Sequence, residues 1–166
     1  MRGTEGPMVC GGRAWAALAG FVVVTYAVAA VGALASSNAA EVYASLDRPD
    51  WAPPAWVFGP VWTVLYATIA LSGWLVWRCA DHPERRRALA WWGAQLALNL
   101  AWTPLFFGAR RYDIALLDIV LLVAALVVTI RLSHRVHRAA GLLLVPYLGW
   151  VGFAMALNAA IVWREG

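Results

Sequence analysis

The chain has 166 residues, of which 63% are hydrophobic and 13% charged, with a formal net charge of +4. So large an apolar share excludes an ordinary soluble domain with a charged surface. All 13 basic residues are arginines, and they cluster between apolar blocks, a placement that fits membrane surfaces and argues against a nucleic-acid-binding face.

The first apolar block covers about 15–34, and a helix of roughly 20 residues crosses the hydrocarbon core. Arg13 precedes it, but the run is long enough to read as a first membrane helix rather than a cleavable signal. Ser36, Ser37 and Asn38 mark its exit. Glu41, Asp47, Arg48, Pro49, Asp50, Pro53 and Pro54 then describe a polar, proline-interrupted loop with room for a short interfacial helix. Further helices are expected over about 56–77, 89–107, 114–130 and 139–163. Pro60 falls in the first turns of the second helix, where it need not break it. Pro104 lies near the end of the third, and Pro146 predicts a mild kink in the fifth. The expected fold is all-α: an integral-membrane bundle of five transmembrane helices, with residues 1–166 as one domain. The blocks are too long and too uniformly apolar for barrel strands. Short connections after the second, third and fourth helices make consecutive helices antiparallel neighbours.

With five crossings, one side holds Arg2, Arg13, Arg78, Arg85, Arg86, Arg87, Arg131, Arg135 and Arg138, and the other holds Arg48, Arg110, Arg111 and Arg164. In a bacterial cell membrane this bias puts the N-terminus in the cytoplasm. Of the 11 tryptophans, Trp15, Trp77, Trp91, Trp92 and Trp163 stand near expected helix ends, as an aromatic belt requires. Trp51 and Trp56 flank the end of the first loop, and Trp62, Trp102 and Trp150 sit inside or near the ends of spans, close to prolines or polar residues. Those three read either as helix packing or as the lining of a cavity.

Buried polar side chains are costly in a membrane unless paired or useful. Gln95 and Asn99 are four residues apart and share a helix face; they read as interhelical glue, with Asn158 as partner, or as ligand contacts. Asp118 is the one acid well inside a span, and interhelical bonding, a cavity role and interface exposure all remain open for it. Small residues in helices one and five, Gly20, Gly32, Gly149 and Gly152 among them, would permit close approach within the bundle or in a homodimer.

Several chemistries lack their residues. His82, His134 and His137 fall in the expected connections, so no transmembrane bis-histidine haem site is expected. Cys10 and Cys79 form no CxxC pair, and no zinc spacing, GxSxG or phosphate loop occurs. No metal is expected. What remains is an apolar cavity with a few convergent polar groups, suited to flat hydrophobic ligands, with rim arginines able to meet carboxylates.

Three motifs then carry a resemblance. They are Pro49-Asp50-Trp51-Ala52-Pro53-Pro54-Ala55-Trp56-Val57-Phe58-Gly59-Pro60-Val61-Trp62-Thr63-Val64-Leu65-Tyr66, Gln95-Leu96-Ala97-Leu98-Asn99-Leu100-Ala101-Trp102-Thr103-Pro104-Leu105-Phe106-Phe107-Gly108-Ala109-Arg110, and Pro146-Tyr147-Leu148-Gly149-Trp150 with Leu157-Asn158 and Val162-Trp163-Arg164. In this order they resemble the tryptophan-rich sensory protein family, TspO, whose animal members are the translocator protein or peripheral benzodiazepine receptor. The resemblance covers about 15–165. It implies a five-helix bundle, usually a homodimer, in a bacterial membrane or the mitochondrial outer membrane. It further implies binding of porphyrins such as protoporphyrin IX, with no cofactor required, and for the animal members binding of cholesterol. The implied cavity opens toward the first loop, with Trp51 and Trp56 on the loop side, Trp62 from helix two, Gln95 and Asn99 from helix three, and Trp150 at the wall. The implied role is a receptor or regulator of tetrapyrrole metabolism under oxygen and light. Alternatives are light-driven oxidative porphyrin degradation, with Trp150 as the candidate electron donor, and porphyrin or sterol transport. One departure lowers the expectation of tight cholesterol binding: the stretch from Leu157 to Arg164 lacks the tyrosine of the family's cholesterol motif, a pattern weak even when complete.

Overall fold

In the computed structural model, residues 11–165 are described, and all of their regular structure is helical. Arg2 and Cys10 lie outside the described residues. The elements are α1 (Gly12–Ala35), α2 (Ala39–Ser45), α3 (Phe58–Arg78, entered through a 3₁₀ turn at Ala55–Val57), α4 (Arg85–Thr103), α5 (Tyr112–Val136), α6 (Arg138–Leu143) and α7 (Val145–Glu165). By length and composition, four stretches among the described residues are apolar enough to cross a membrane: Gly12–Ala35, Ala55–Arg78, Tyr112–Val136 and Arg138–Arg164. The protein is thus an all-α membrane bundle with four clearly apolar candidate spans. α4 is as long as a span but opens on Arg85, Arg86 and Arg87 and carries Gln95 and Asn99 at its centre, which lowers its hydropathy. Val23, Val31 and Leu34 of α1, Val64 of α3 and Leu117 of α5 are exposed. An apolar surface of that extent is suited to lipid rather than water.

The prolines act at helix starts and ends. Pro60 is the third residue of α3, where a missing N–H costs no intrahelical bond. α4 does not stop at Pro104 but widens into a π turn over Pro104–Gly108, with the Ala109 N–H donating to the Pro104 carbonyl at 2.8 Å. Arg110 then takes a left-handed φ of 52°, which reverses the chain into α5. The single helix expected over 139–163 is instead two. The break falls at Leu144, so that Pro146 becomes the second residue of α7 and needs no kink of its own. α5 also runs on to Val136, which puts His134 in its last turn rather than in a connection.

α3 and α4, and α4 and α5, run antiparallel, as short connections require. Side-chain contacts pin their levels: Trp92 Nε1 donates to the Ile69 carbonyl at 2.9 Å, and the Thr129 hydroxyl, which donates chiefly to the Ala125 carbonyl of its own helix at 2.7 Å, also lies 3.2 Å from the Trp91 carbonyl. Trp92 is therefore a core residue and not part of the headgroup belt. It fits because Gly73 stands opposite; a Cβ on Gly73 would lie 2.7 Å from Trp92 Cε2. The core has a central cluster around Ile69, Leu122, Leu126 and Tyr147, and a smaller one at each end.

Candidate functional site

α1 leaves the bundle at Ala35, α2 and the following loop cross its end, and α3 re-enters at Phe58. Between these elements and the ends of α4 and α7 lies a cavity of about 570 Å³, within the roughly 300–1,000 Å³ usual for small-molecule sites. Its wall combines small residues of α1 (Ala29, Gly32, Ala33) with the rings of Tyr26, Phe58, Trp62, Tyr66, Trp102 and Trp150. The rings brace one another: Phe58 meets Trp150 edge-on at 5.7 Å, and Trp62 lies 5.3 Å from Tyr66. Rings braced on one another do not reach across to the alanines and glycine of α1, and the volume between them stays open.

No charged side chain lines this cavity among the described residues. Most of its donors are already spent. Tyr26 donates to the Thr63 carbonyl (2.9 Å), Ser36 to Gly32 (2.7 Å), Tyr43 to Pro53 (2.8 Å) and Thr63 to Gly59 (2.9 Å). Tyr66 donates to Asn99 Oδ1 at 2.8 Å, and Trp102 Nε1 to Asn158 Oδ1 at 3.3 Å. The Trp150 indole N–H is buried and has no partner. A buried donor left unpaired costs about 1–3 kcal/mol, a cost that a ligand acceptor would offset.

The loop over the cavity is tied down. Asp47 pairs with Arg164 of α7 at 3.2 Å, the Arg48 guanidinium sits 4.5 Å above the Tyr43 ring, and Trp51 meets Phe153 edge-on at 5.7 Å.

A model of the TspO/MBR family matches residues 21–164. The chain belongs to the TspO/MBR family. The human translocator protein is 42% identical over 125 residues, which span 74% of this chain and 73% of the relative. The tryptophan-rich protein TspO of Archaeoglobus fulgidus is 42% identical over 119 residues (72% and 76%), and the tryptophan-rich sensory protein of Cereibacter sphaeroides 38% over 144 residues (87% and 88%). Family membership thus links this multi-pass membrane protein to animal, archaeal and bacterial relatives.

The structure distributes the residues singled out from sequence unevenly. Trp62, Trp102 and Trp150 share the cavity wall. Trp51 and Trp56 are exposed at its loop end, outside the wall. Gln95 and Asn99 are buried behind it: Gln95 Nε2 donates to the Trp92 carbonyl of its own helix at 2.9 Å, its Oε1 is unpaired, and Asn99 is held by Tyr66. The Tyr147 hydroxyl is buried without a hydrogen-bond partner among the described residues. Asn158 does not join the Gln95–Asn99 face. It bridges Trp102 and the Tyr112 carbonyl, to which its Nδ2 donates at 3.0 Å. Asp118 is buried in α5 with Oδ2 unpaired, away from the wall. Sequence reasoning passed over Tyr26, Phe58 and Tyr66. Phe58 and Tyr66 both stand inside the first motif, and Tyr66 lies four residues after Trp62 on the same helix face, which were the available signals.

Proposed function

We propose that the protein is a membrane receptor or regulator that holds protoporphyrin IX, or a related flat hydrophobic ligand, in the cavity under the first loop. The observation that carries this reading is an uncharged, ring-lined cavity of about 570 Å³ whose wall keeps the buried Trp150 N–H unpaired. A flat ring system suits stacking on Trp62 and Trp150, and an acceptor on it would take the indole proton. With no charge on the wall, acidic substituents belong at the mouth, where Arg48 and Arg164 lie beside the loop. The reading takes α4 as the fifth crossing, its amides Gln95 and Asn99 buried in the bundle, with the N-terminus on the cytoplasmic side of a bacterial membrane and a homodimer as the working assembly. Trp51, Trp56, Gln95, Asn99, Asp118 and Asn158 then shape or position the site from the mouth and from behind the wall.

The test is a titration with protoporphyrin IX in the dark, followed by tryptophan quenching, on wild type and Trp150→Ala. Saturable quenching weakened about tenfold by the substitution, the size expected from losing one hydrogen bond and a stacked ring, supports the reading. Linear quenching identical in both proteins overturns it. A second reading, porphyrin breakdown driven by light with dioxygen as oxidant, draws on the ring series Trp150–Phe153–Trp51, each step 5.7 Å, which offers an electron a path between the cavity wall and the surface. Breakdown that persists unchanged in Trp150→Phe sinks that reading.

A further inference from the structure

We infer that the end of the bundle remote from the cavity is a binding surface for the phosphodiester headgroups of anionic membrane lipids, with Arg86, Arg87, Arg131 and Arg138 as its cationic contacts. The two ends use their arginines differently. At the cavity end, Arg48 stacks on Tyr43, Arg111 pairs with Asp113 at 2.9 Å and Arg164 with Asp47 at 3.2 Å, which leaves Arg110 alone there without an ion pair or ring contact among the described residues. At the remote end, Arg78 lies over Trp74, Arg85 donates to the Trp77 carbonyl at 2.8 Å, and Arg135 takes Glu84 at 3.2 Å. That leaves Arg13 at the start of α1 and, on α4, α5 and α6, the four residues Arg86, Arg87, Arg131 and Arg138, all exposed, with no ion pair or ring contact among the described residues.

These four are brought to one level by the packing. The Arg135–Glu84 pair and the Thr129–Trp91 contact set the first turn of α4 beside the last turns of α5, and α6 begins at Arg138 immediately after α5. Their depth is marked by rings. Trp15 stacks on Trp74 at 6.3 Å, and Trp77 and Trp91 stand at the same end, as a headgroup belt requires. Arg86 and Arg87 are four to five residues before Trp91, or about 6–8 Å further out at the helical rise, where lipid phosphates lie. Arg131, two residues past Thr129, reaches the same layer by extending its side chain outward.

A guanidinium binds phosphate oxygens through paired N–H groups, which an ammonium cannot do. The same end of the bundle exposes apolar side chains, Trp15 and Leu142 among them. An occupant that satisfies both at once is a lipid; a soluble acidic partner would leave the apolar flank in water.

The experiment places the full chain in nanodiscs of mixed phosphatidylglycerol and phosphatidylcholine and counts retained lipids by native mass spectrometry. Wild type should retain phosphatidylglycerol preferentially. The variant Arg86→Gln/Arg87→Gln/Arg131→Gln/Arg138→Gln should lose that preference by about fivefold or more, given roughly a factor of five per basic residue at an anionic surface. Arg110→Gln/Arg111→Gln at the other end should leave it unchanged. An undiminished preference in the quadruple variant, or an equal loss in the Arg110/Arg111 control, overturns the inference. If circular dichroism shows the quadruple variant misfolded, Arg86→Gln/Arg131→Gln is read by the same criteria.

Discussion

The two ends of the bundle are built on opposite packing rules. At the remote end the helices approach closely. Gly141 lies so near α5 that a Cβ there would sit 2.6 Å from His134 Cβ and 2.9 Å from its backbone nitrogen, and Ser72 donates to the Ala140 carbonyl at 2.8 Å. At the cavity end, rings of α3, α4 and α7 face alanines and glycine of α1 without filling the space between. In a membrane, helix association depends on close packing and interhelical hydrogen bonds, because lipid supplies no hydrophobic drive between helices. The tight end therefore supplies cohesion that the hollow end gives up, and the hollow end is free to hold a ligand.

The comparison can be broken most strongly at the tight end. Gly141→Val should cost about 1–3 kcal/mol by overpacking, toward the upper part of that range because the obstructing atoms include backbone. The thermal unfolding midpoint in detergent should fall, while ligand affinity below the transition stays at the wild-type value; an equal loss of affinity would show that the ends are coupled. Next in size, Tyr66→Phe removes the donor to Asn99 Oδ1 behind the cavity. It should cost about 1–2 kcal/mol through the stranded acceptor, measured in the same melt, and Tyr66→Phe combined with Asn99→Leu should recover part of it. The smallest effect belongs to Asp47→Asn. The pair with Arg164 is largely exposed, so stability should change by less than about 1 kcal/mol. A larger change, or one insensitive to salt, would show that the loop is a structural member of the cavity end rather than a cover laid on it.

Much of the fold was legible in the sequence, and the reason is physical. Long apolar blocks in lipid must satisfy their backbone groups within a helix, so α1, α3 and α5 follow from composition. The break at Leu144 did not follow, because Pro146 marks a helix start as readily as a kink. The cavity was legible in part. Trp62, Trp102 and Trp150 were singled out from their polar and proline neighbours and share the cavity wall. Tyr26 was passed over because a tyrosine in an apolar helix signals nothing until its hydroxyl is seen to bridge to the Thr63 carbonyl of α3.

By itself the sequence determined the class of solvent, the helical segments, the family and the uneven charge of the two ends, since each depends on residues close in the chain. Only the tertiary structure decided how each helix is rotated about its axis. That rotation set which tryptophans face the cavity, which amides are consumed by neighbours and which arginines remain unpaired. Helices apolar on nearly every face carry little amphipathic signal to orient them. Their orientation is settled by ring-against-glycine fits such as Trp92 on Gly73 and by hydrogen bonds between residues distant in sequence, such as Trp102 to Asn158.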